Sequence, residues 1–420
     1  MRKKICAIRA PSSLFLQSTL LAPLDGLAAT CAAFRQCPSL SDDAWLTLGA
    51  TRGLHDQPSG RGFLQHVAPL FPHCPEIAHF FTTLKSARRL RLCQQASARV
   101  AQLLTDDPFA HLDCLRDFVL YAADGHWHGA AVHAAPIDGA KRAVGHFFAL
   151  NLRTQALTHL THAQGKKEHD MHALKRLDRD TLRQHAPAGR KVLYAWDCAS
   201  IDYAQWQKWK QGGGIYLISL TKEKMNLTLT RENPIDRADR NNDGITADEL
   251  VATVEGISLR RIRYTHPATG EDYEFLTSEF TLPPGVIAFL YLRRWDLEKV
   301  FDELKNKLGA QRAWASSAVA QQMQAYFLCL AHNLMQIFER HLAAEHQVTN
   351  LAEEKRRAHR LAAQQRLASA RQAVLPALVQ THQRPTQTSL KLFRWVRCHF
   401  FSQLPLVALV PVLAHSYARL

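Results

Sequence analysis

The sequence predicts a mixed α/β fold in which one sheet is flanked by helices. Two apolar, strand-like segments, LRDFVLYAAD (115–124) and KVLYAWD (191–197), each end in an aspartate, and GHFFALNL and ALTHLTH lie between them as further strands. A helical segment, IDYAQWQKWKQ, and another strand, GIYLISL, come next. Consecutive strands followed by alternation of strand and helix are typical of a mixed sheet with helices on its faces.

Helical regions precede and follow this sheet. Residues 1–112 contain a long helical period, which predicts a helical N-terminal region. Residues 113–342 make up the expected α/β domain, with a β-rich insertion at about 224–282 that contains ISLRRIRYTH and DYEFLTSEF. Residues 343–420 are first rich in Arg and Ala and then apolar, and we expect a mostly helical C-terminal region that serves in dimerisation or DNA contact.

The charge balance points to a polyanionic partner. The 420 residues include 52 Lys and Arg against 37 Asp and Glu, which leaves a net charge of +15. Such a surplus is typical of proteins that bind nucleic acid or an anionic membrane. We favour nucleic acid, because no basic amphipathic helix of the kind that binds membranes stands out.

The N-terminus imitates a signal peptide, with MRKK followed by apolar residues. Arg9, Pro11 and Gln17 interrupt the apolar segment, so we expect no export and a soluble, cytoplasmic protein without a membrane partner. The nine cysteines form no CxxC pair, which argues against a zinc site and favours reduced thiols.

The two strand-end aspartates, Asp124 and Asp197, are the first candidate site residues. An aspartate at the end of one strand is most often a cap or turn residue. However, side chains at strand ends of an open sheet converge on ligands, and two such residues in one sheet favour a shared site.

A third element is the segment YLRRWDLEKVFDELKNKLGA, residues 291–310, which predicts one helix. At about 100° per residue, four polar side chains fall within an arc of roughly 60° beside the apolar face. These four are Tyr291, Arg294, Glu298 and Lys305. Ordinary solvated charges are expected at Asp296, Lys299 and Glu303.

Two interpretations of this polar stripe are open. It could be a row of surface ion pairs between Arg294, Glu298 and Lys305. Alternatively, Glu298 joins the two aspartates as a metal ligand, since carboxylate oxygens suit Mg²⁺ or Mn²⁺. Two such ions about 4 Å apart can assist phosphodiester cleavage, and neighbouring cations would then hold the DNA phosphates.

The same residues resemble a known family. The spacing Tyr-x2-Arg-x3-Glu-x6-Lys is similar to the Tyr-Arg-Glu-Lys (YREK) signature of a large group of bacterial insertion-sequence transposases of the DDE type. The segments LRRIRYTHPATGEDYEFLTSEFTLPPGVIAFLYLRRWDLEKVF and WDCASIDYAQWQKWKQGGGIYLISLTKEKM also resemble this group. The resemblance covers roughly residues 115–340.

The resemblance implies a ribonuclease-H-like catalytic core and a metal-binding triad of Asp124, Asp197 and Glu298 with two Mg²⁺ ions, which Mn²⁺ can replace. It implies cut-and-paste transposition: water cleaves the element's end, and the freed 3′-OH attacks target DNA. The implied partners are double-stranded DNA, both terminal inverted repeats and target, and a second copy of the chain in a bacterial, nucleoid-associated complex. The implied DNA-contacting residues are Tyr291, Arg294, Lys305 and Lys222.

Some positions depart from the group's pattern. Gly125 and His126 follow the first aspartate, where the group often has a small hydroxyl residue. Cys198 follows the second, where an arginine is common. Leu220 replaces the arginine of the usual Ile-Ser-Arg-x-Lys, although Lys222 keeps the cation. The departures concern local DNA contacts and leave the three carboxylates in place.

Two other functions share these features. A stand-alone nuclease would have the same triad without strand transfer, and a domesticated DNA-binding regulator would have lost catalysis. In addition, HWH at 126–128 places two imidazoles on the same side of a strand, but the sequence shows no third ligand.

Overall fold

The computed structural model describes most of the chain. The described ranges are 19–55, 59–69, 74–136, 139–164, 168, 170–184, 186–222, 225–402 and 404–418. The first part of the signal-peptide-like segment, residues 1–18, lies outside them. Within these ranges, no helix combines the length and apolar character that crossing a membrane requires.

Nine strands form one sheet. They are β1 (Phe118–His128), β2 (Val144–Asn151), β3 (Leu157–His162), β4 (Lys191–Ala195), β5 (Ile215–Leu220), β6 (Leu227–Glu232), β7 (Ile245–Thr253), β8 (Ser258–Thr265) and β9 (Asp272–Thr277). Their order is β3-β2-β1-β4-β5-β9-β8-β7-β6. Strands β1, β4 and β5 are parallel to one another, and the other neighbours are antiparallel.

Fourteen α-helices surround the sheet in the described ranges. They are α1 (Asp42–Leu54), α2 (Gly60–Val67), α3 (Ile77–Thr83), α4 (Ala87–Gln102), α5 (Asp170–Lys175), α6 (Arg179–Arg183), α7 (Tyr203–Gly213), α8 (Pro284–Leu292), α9 (Trp295–Asn306), α10 (Ala318–His346), α11 (Leu351–Ala370), α12 (Ala377–Thr381), α13 (Leu390–His399) and α14 (Leu406–Ala418). Serine side chains cap several N-termini, including Ser41 before α1 and Ser86 before α4.

This architecture confirms the predicted fold class. The β-rich insertion is β6 to β9, and its last strand pairs with β5, so the insertion extends the sheet formed by β1 to β5. The helical N- and C-terminal regions are also present.

Strand alternation divides the core between the two faces of the sheet. In β1, Leu120 and Ala122 join the cluster that packs against α8, α9 and α10, whereas Tyr121 and Ala123 join a second cluster that includes Trp206 of α7. The long helix α10 also packs against α1 and α4, so the N-terminal helices share the larger core.

The prediction of one helix over residues 291–310 is wrong. The chain forms two helices, α8 and α9, with a tight turn between them. At this turn the amide of Arg294 bonds the carbonyl of Tyr291 at 2.9 Å, only three residues back. Since such bonds turn the chain more tightly than α-helical ones, the predicted arc does not apply. Tyr291 belongs to α8, whereas Glu298 and Lys305 belong to α9.

The prediction that Asp296 and Glu303 are solvated is also wrong. Their exposed fractions are 2% and 1%, and Lys299 is half-buried. Each carboxylate is buried with a partner: Asp296 pairs with Arg293 across the turn between the helices, and Glu303 Oε1 lies 2.7 Å from Nδ1 of His332 on α10. The helical wheel misplaced Arg293, because the turn at this residue breaks the helix, and it could not show His332, which lies on another helix.

The Glu303–His332 contact ties α9 to α10, and we expect Glu303→Ala to destabilise the protein. The free energy of unfolding should fall by about 1–3 kcal/mol, since the substitution leaves a buried imidazole without its partner. Urea unfolding measures this. The exposed neighbour Asp302→Ala is the control and should change stability by no more than about 0.5 kcal/mol. Equal effects of the two substitutions would contradict the assignment.

Candidate active site

Asp124 lies inside a strand rather than at its end. We predicted a strand end at this residue, but β1 continues to His128 because β2 pairs with it along residues 121–128. The pairing of β1 with β4 ends at Ala122, so Asp124 is beyond its parallel neighbour and its side chain is 21% exposed. Its Oδ1 accepts a hydrogen bond from the Gly125 amide at 2.7 Å.

Asp197 occupies the matching position after β4. Ala195 pairs with Ala122, and each aspartate follows two residues later, which brings both to the same edge of two parallel strands. Asp197 caps a short 3₁₀-helix (Cys198–Ser200), accepting a hydrogen bond from the Ala199 amide at 2.8 Å. The structure therefore places the two aspartates side by side, as the sequence predicted.

Helix α9 brings Glu298 to this edge, and Arg294 joins it to the sheet. The guanidinium of Arg294 donates from Nη1 to Asp124 Oδ2 at 2.8 Å and from Nη2 to Glu298 Oε1 at 3.3 Å. Its side chain is only 9% exposed, whereas that of Glu298 is 41% exposed. Arg294 thus sits between two of the three predicted triad carboxylates.

The environment of Arg294 keeps it charged. Burial alone would lower its pKa, but Tyr291, Asp124 and Glu298 act in the opposite direction, and the net result is a raised pKa. Its guanidinium lies 5.9 Å from the ring of Tyr291 and 5.2 Å from that of Trp295. A permanently charged guanidinium held between carboxylates is a strong, oriented contact.

Tyr291 lies beneath this contact. It is 1% exposed, and burial, with the nearby charge of Asp197, raises the pKa of its hydroxyl to about 12 despite the opposing charge of Arg294. Its ring packs 5.1 Å from that of Phe275 on β9. Tyr291 therefore packs beside Arg294 from a buried position, and its contact with DNA stays a prediction.

The two predicted lysines lie outside the centre of the site. Lys305 is exposed on α9, and its positive charge contributes to lowering the pKa of His126 on β1. Lys222 is exposed beyond the end of β5, at the same edge of the sheet as Asp197. In the described part of the chain, no ion pair joins either ammonium to a triad carboxylate.

The carboxylates have the donor chemistry of a Mg²⁺ site but not its geometry. Among the described residues, no three His, Cys, Asp or Glu side chains converge closely enough to hold one metal ion. The guanidinium of Arg294 already bridges Asp124 and Glu298. In this conformation two of the three predicted triad carboxylates, Asp124 and Glu298, are paired to a cation of the chain itself.

Comparison with known proteins identifies the family. A family model described as a transposase DDE domain matches residues 125–334, half of the chain. The chain belongs to the DDE transposase family. The match includes Asp197 and Glu298 and begins one residue after Asp124. No individual curated protein matches the chain at a significant level.

Family membership confirms the predicted resemblance and the general function. Members are transposases, which act on DNA and generally use divalent metal ions. Membership in the group with the Tyr-Arg-Glu-Lys signature stays a prediction, as does each residue's role.

The transposase also contains a histidine cluster that the sequence showed only in part. His126 and His128 do share one side of β1, as HWH predicted, with ring centroids 6.3 Å apart. His146 on β2 stacks 5.3 Å from His128, and its Nδ1 lies 3.1 Å from Nε2 of His159 on β3. His146 and His159 stand out in the sequence as polar residues inside apolar strands. Their proximity to His128, however, depends on the register of the strands, which the sequence does not show.

These four residues, which we call the histidine cluster, are buried and mostly unpartnered. Nitrogen atoms of all four lack a hydrogen-bond partner among the described residues. Burial lowers the pKa of His126 and of His128 to about 4 and that of His159 to about 3, and it depresses that of His146 as well. The neighbouring charges of Lys305 and of the other imidazoles act in the same direction. The cluster is therefore neutral in the folded protein at pH 7.

We expect this cluster to make the transposase unstable in mild acid. Unfolding restores an ordinary pKa of 6.5 to each imidazole, so the unfolded chain binds more protons than the folded one below that pH. The free energy of unfolding should be unaffected by the cluster above pH 6.5 and should fall as the pH drops towards 4. One histidine with this shift contributes up to about 3 kcal/mol of that loss.

The measurement is a series of urea-unfolding curves across this range of pH. His128→Leu removes one buried site of proton uptake and should flatten the pH dependence. The exposed His133→Leu is the matched control and should leave the pH dependence as in the wild type. A His128→Leu variant with an unchanged pH dependence would show that the cluster does not determine the acid sensitivity.

The position of Arg294 leads to a prediction for metal binding. Arg294→Gln removes the cation between Asp124 and Glu298, so Mn²⁺ should bind the DNA-free protein about tenfold more tightly, a gain of about 1.4 kcal/mol. Electron paramagnetic resonance of free Mn²⁺ measures this directly. Lys305→Gln removes the same charge at an exposed position and serves as the control. Equal Mn²⁺ affinities in both variants would refute the bridging role.

Proposed function

We propose that this transposase binds the terminal inverted repeats of an insertion sequence and moves it by a cut-and-paste reaction. The observation that supports the proposal is the buried Arg294, which joins Asp124 to Glu298 at the edge of the sheet that also carries Asp197, within a chain of the DDE family. Asp124 and Asp197 come from adjacent parallel strands, and Glu298 from α9.

The proposed roles follow from the positions of the side chains. Asp124, Asp197 and Glu298 would hold Mg²⁺, two ions in the proposed form, after Arg294 has moved away from the carboxylates. The ions would supply activation of the attacking oxygen and stabilisation of the leaving one. Arg294 would then bind the DNA phosphate, since a guanidinium can pair with two phosphate oxygens just as it pairs with a carboxylate.

The exposed lysines are suited to the DNA backbone on either side. Lys222 lies at the same edge as Asp197, and Lys305 is exposed on the helix that carries Glu298, so both ammonium groups could neutralise phosphates. Tyr291 is proposed as a support for Arg294. We further propose that residues 1–112 bind the transposon ends and that two copies act together in the complex with DNA.

A stand-alone nuclease remains the second candidate, because it would use the same carboxylates. The two functions differ in one step: a transposase joins the freed 3′-OH to a second DNA molecule, and a nuclease stops at cleavage.

We expect Asp124→Ala, Asp197→Ala and Glu298→Ala each to abolish cleavage and strand transfer and to leave DNA binding nearly intact. The assay uses a duplex from the end of the element that flanks the coding sequence, with Mg²⁺ and a plasmid as target. Asp302→Ala, an exposed carboxylate on the same helix as Glu298, is the control and should retain activity.

The outcomes separate the candidates. A wild-type protein that joins a pre-cut end to the plasmid supports the transposase, and one that only cleaves supports the nuclease. Sequence-specific binding without any Mg²⁺-dependent cleavage would support the regulator instead. Normal activity in one of the three variants would remove that carboxylate from the triad.

A further inference from the structure

A large cationic cleft opens beside the candidate active site. Its volume is about 920 Å³, and we call it the C-terminal cleft. The turn between β8 and β9 forms one wall, the junction of α8 and α9 forms the floor, and α11 with residues 379–390 forms the other wall. The α11 wall lies outside residues 125–334, the part of the chain that matches the DDE family.

One face of α11 gives the cleft three of its cations. Arg356, Arg357 and Arg360 line it, against a single carboxylate from this helix, that of Glu353. Glu353 accepts hydrogen bonds from Arg356 at 2.9 Å and from Arg360 at 2.6 Å, so one negative charge is shared between two guanidiniums. Both arginines are more than half exposed. The helix therefore carries an excess of positive charge towards the cleft.

Other parts of the cleft add further cations. The floor contributes Lys299, whose ammonium lies 3.7 Å from Asp296. Residues 379–390, which complete the α11 wall, contribute Arg384, which donates to the carbonyl of Leu292 at 3.0 Å. Neither contact satisfies all donors of its side chain. Cations thus face the same space from the floor and from the α11 wall, and their mutual repulsion favours an anionic occupant.

The cleft neighbours the carboxylate site through Trp295. Trp295 lines the cleft and is 44% exposed, while its ring lies 5.2 Å from the guanidinium of Arg294. The charge of Glu298 also acts on Arg384. A strand held at Arg294 could therefore continue past Trp295 into the cleft.

We propose that the C-terminal cleft binds the phosphodiester backbone of DNA that extends beyond the reacting phosphate. This proposal rests on the proposed function, because it places the cleft along the path of a DNA strand leaving the carboxylates. The repeated anionic charge of the backbone matches guanidiniums spaced one helical turn apart, about 6 Å along α11. Both the element end and target DNA offer this chemistry, and the experiment distinguishes them.

The test compares variants with matched changes of charge. Arg356→Gln/Arg360→Gln removes two cleft cations that are exposed enough for the fold to be retained. Lys355→Gln/Arg366→Gln removes two cations from the same helix at residues that do not line the cleft. Glu353→Gln removes the carboxylate that pairs with the two arginines. Thermal unfolding followed by circular dichroism checks that each variant is folded.

Fluorescence anisotropy measures the affinity of each variant for an element-end duplex and for an unrelated duplex that represents target DNA, over a range of salt concentration. For the DNA that enters the cleft, the Arg356→Gln/Arg360→Gln variant should bind about tenfold more weakly, and the slope of log affinity against log salt should fall by about 1.8. Lys355→Gln/Arg366→Gln should behave like the wild type, and Glu353→Gln should bind more tightly.

If the cleft variant loses affinity for only one of the two duplexes, that duplex represents the DNA that occupies the cleft. A loss of affinity for both duplexes assigns the cleft to contact with the DNA backbone in general. Wild-type affinity and slope for both DNAs in the cleft variant would overturn the proposal. If sedimentation analysis then showed altered self-association instead, the cleft would be a contact between copies of the chain. The cleft variant keeps the triad, so a lack of cleavage by the wild type would count against the proposed function and not against the cleft.

Discussion

The contact between Arg294 and two carboxylates is the interaction on which the candidate site depends. It joins β1 to α9, and it sets the position of Glu298 relative to the sheet. Three features support it: the buried ring of Tyr291, the partly exposed ring of Trp295, and the tight turn that separates α8 from α9. A charge this deeply buried is stable only when it is paired. In the proposed function, the same pairing would compete with a metal ion for Asp124 and Glu298.

In the proposed function, such an arrangement would link metal binding to DNA binding. Arg294 is attracted to carboxylates in the free protein, and a DNA phosphate would offer it an alternative anion of suitable geometry. If the guanidinium turned towards DNA, Asp124 and Glu298 would lose this partner and their attraction for a divalent cation would rise. The cationic C-terminal cleft would serve the same purpose, since it would concentrate the polyanion that displaces Arg294.

The sequence predicted the sheet and the insertion because these depend on local patterns. Apolar strands ending near aspartates, and a fixed spacing of Arg294 and Glu298, are visible without coordinates, and the roles of these residues stay predictions. The sequence failed where partners come from distant segments. Glu303 appeared solvated on a helical wheel, yet it is buried beside His332 of α10, which the wheel did not contain. Similarly, the register of three strands assembles the histidine cluster, and the sequence showed only the pair on β1.

The central claim is that one guanidinium couples the sheet to α9, and a double-mutant cycle on protein stability tests it most directly. The free energy of unfolding would be measured for the wild type, Arg294→Gln, Asp124→Asn and the double variant, without metal or DNA. The account predicts that the two substitutions are not additive, with a coupling energy of about 1–3 kcal/mol in favour of the pair. Additive effects, with a coupling energy near zero, would contradict it.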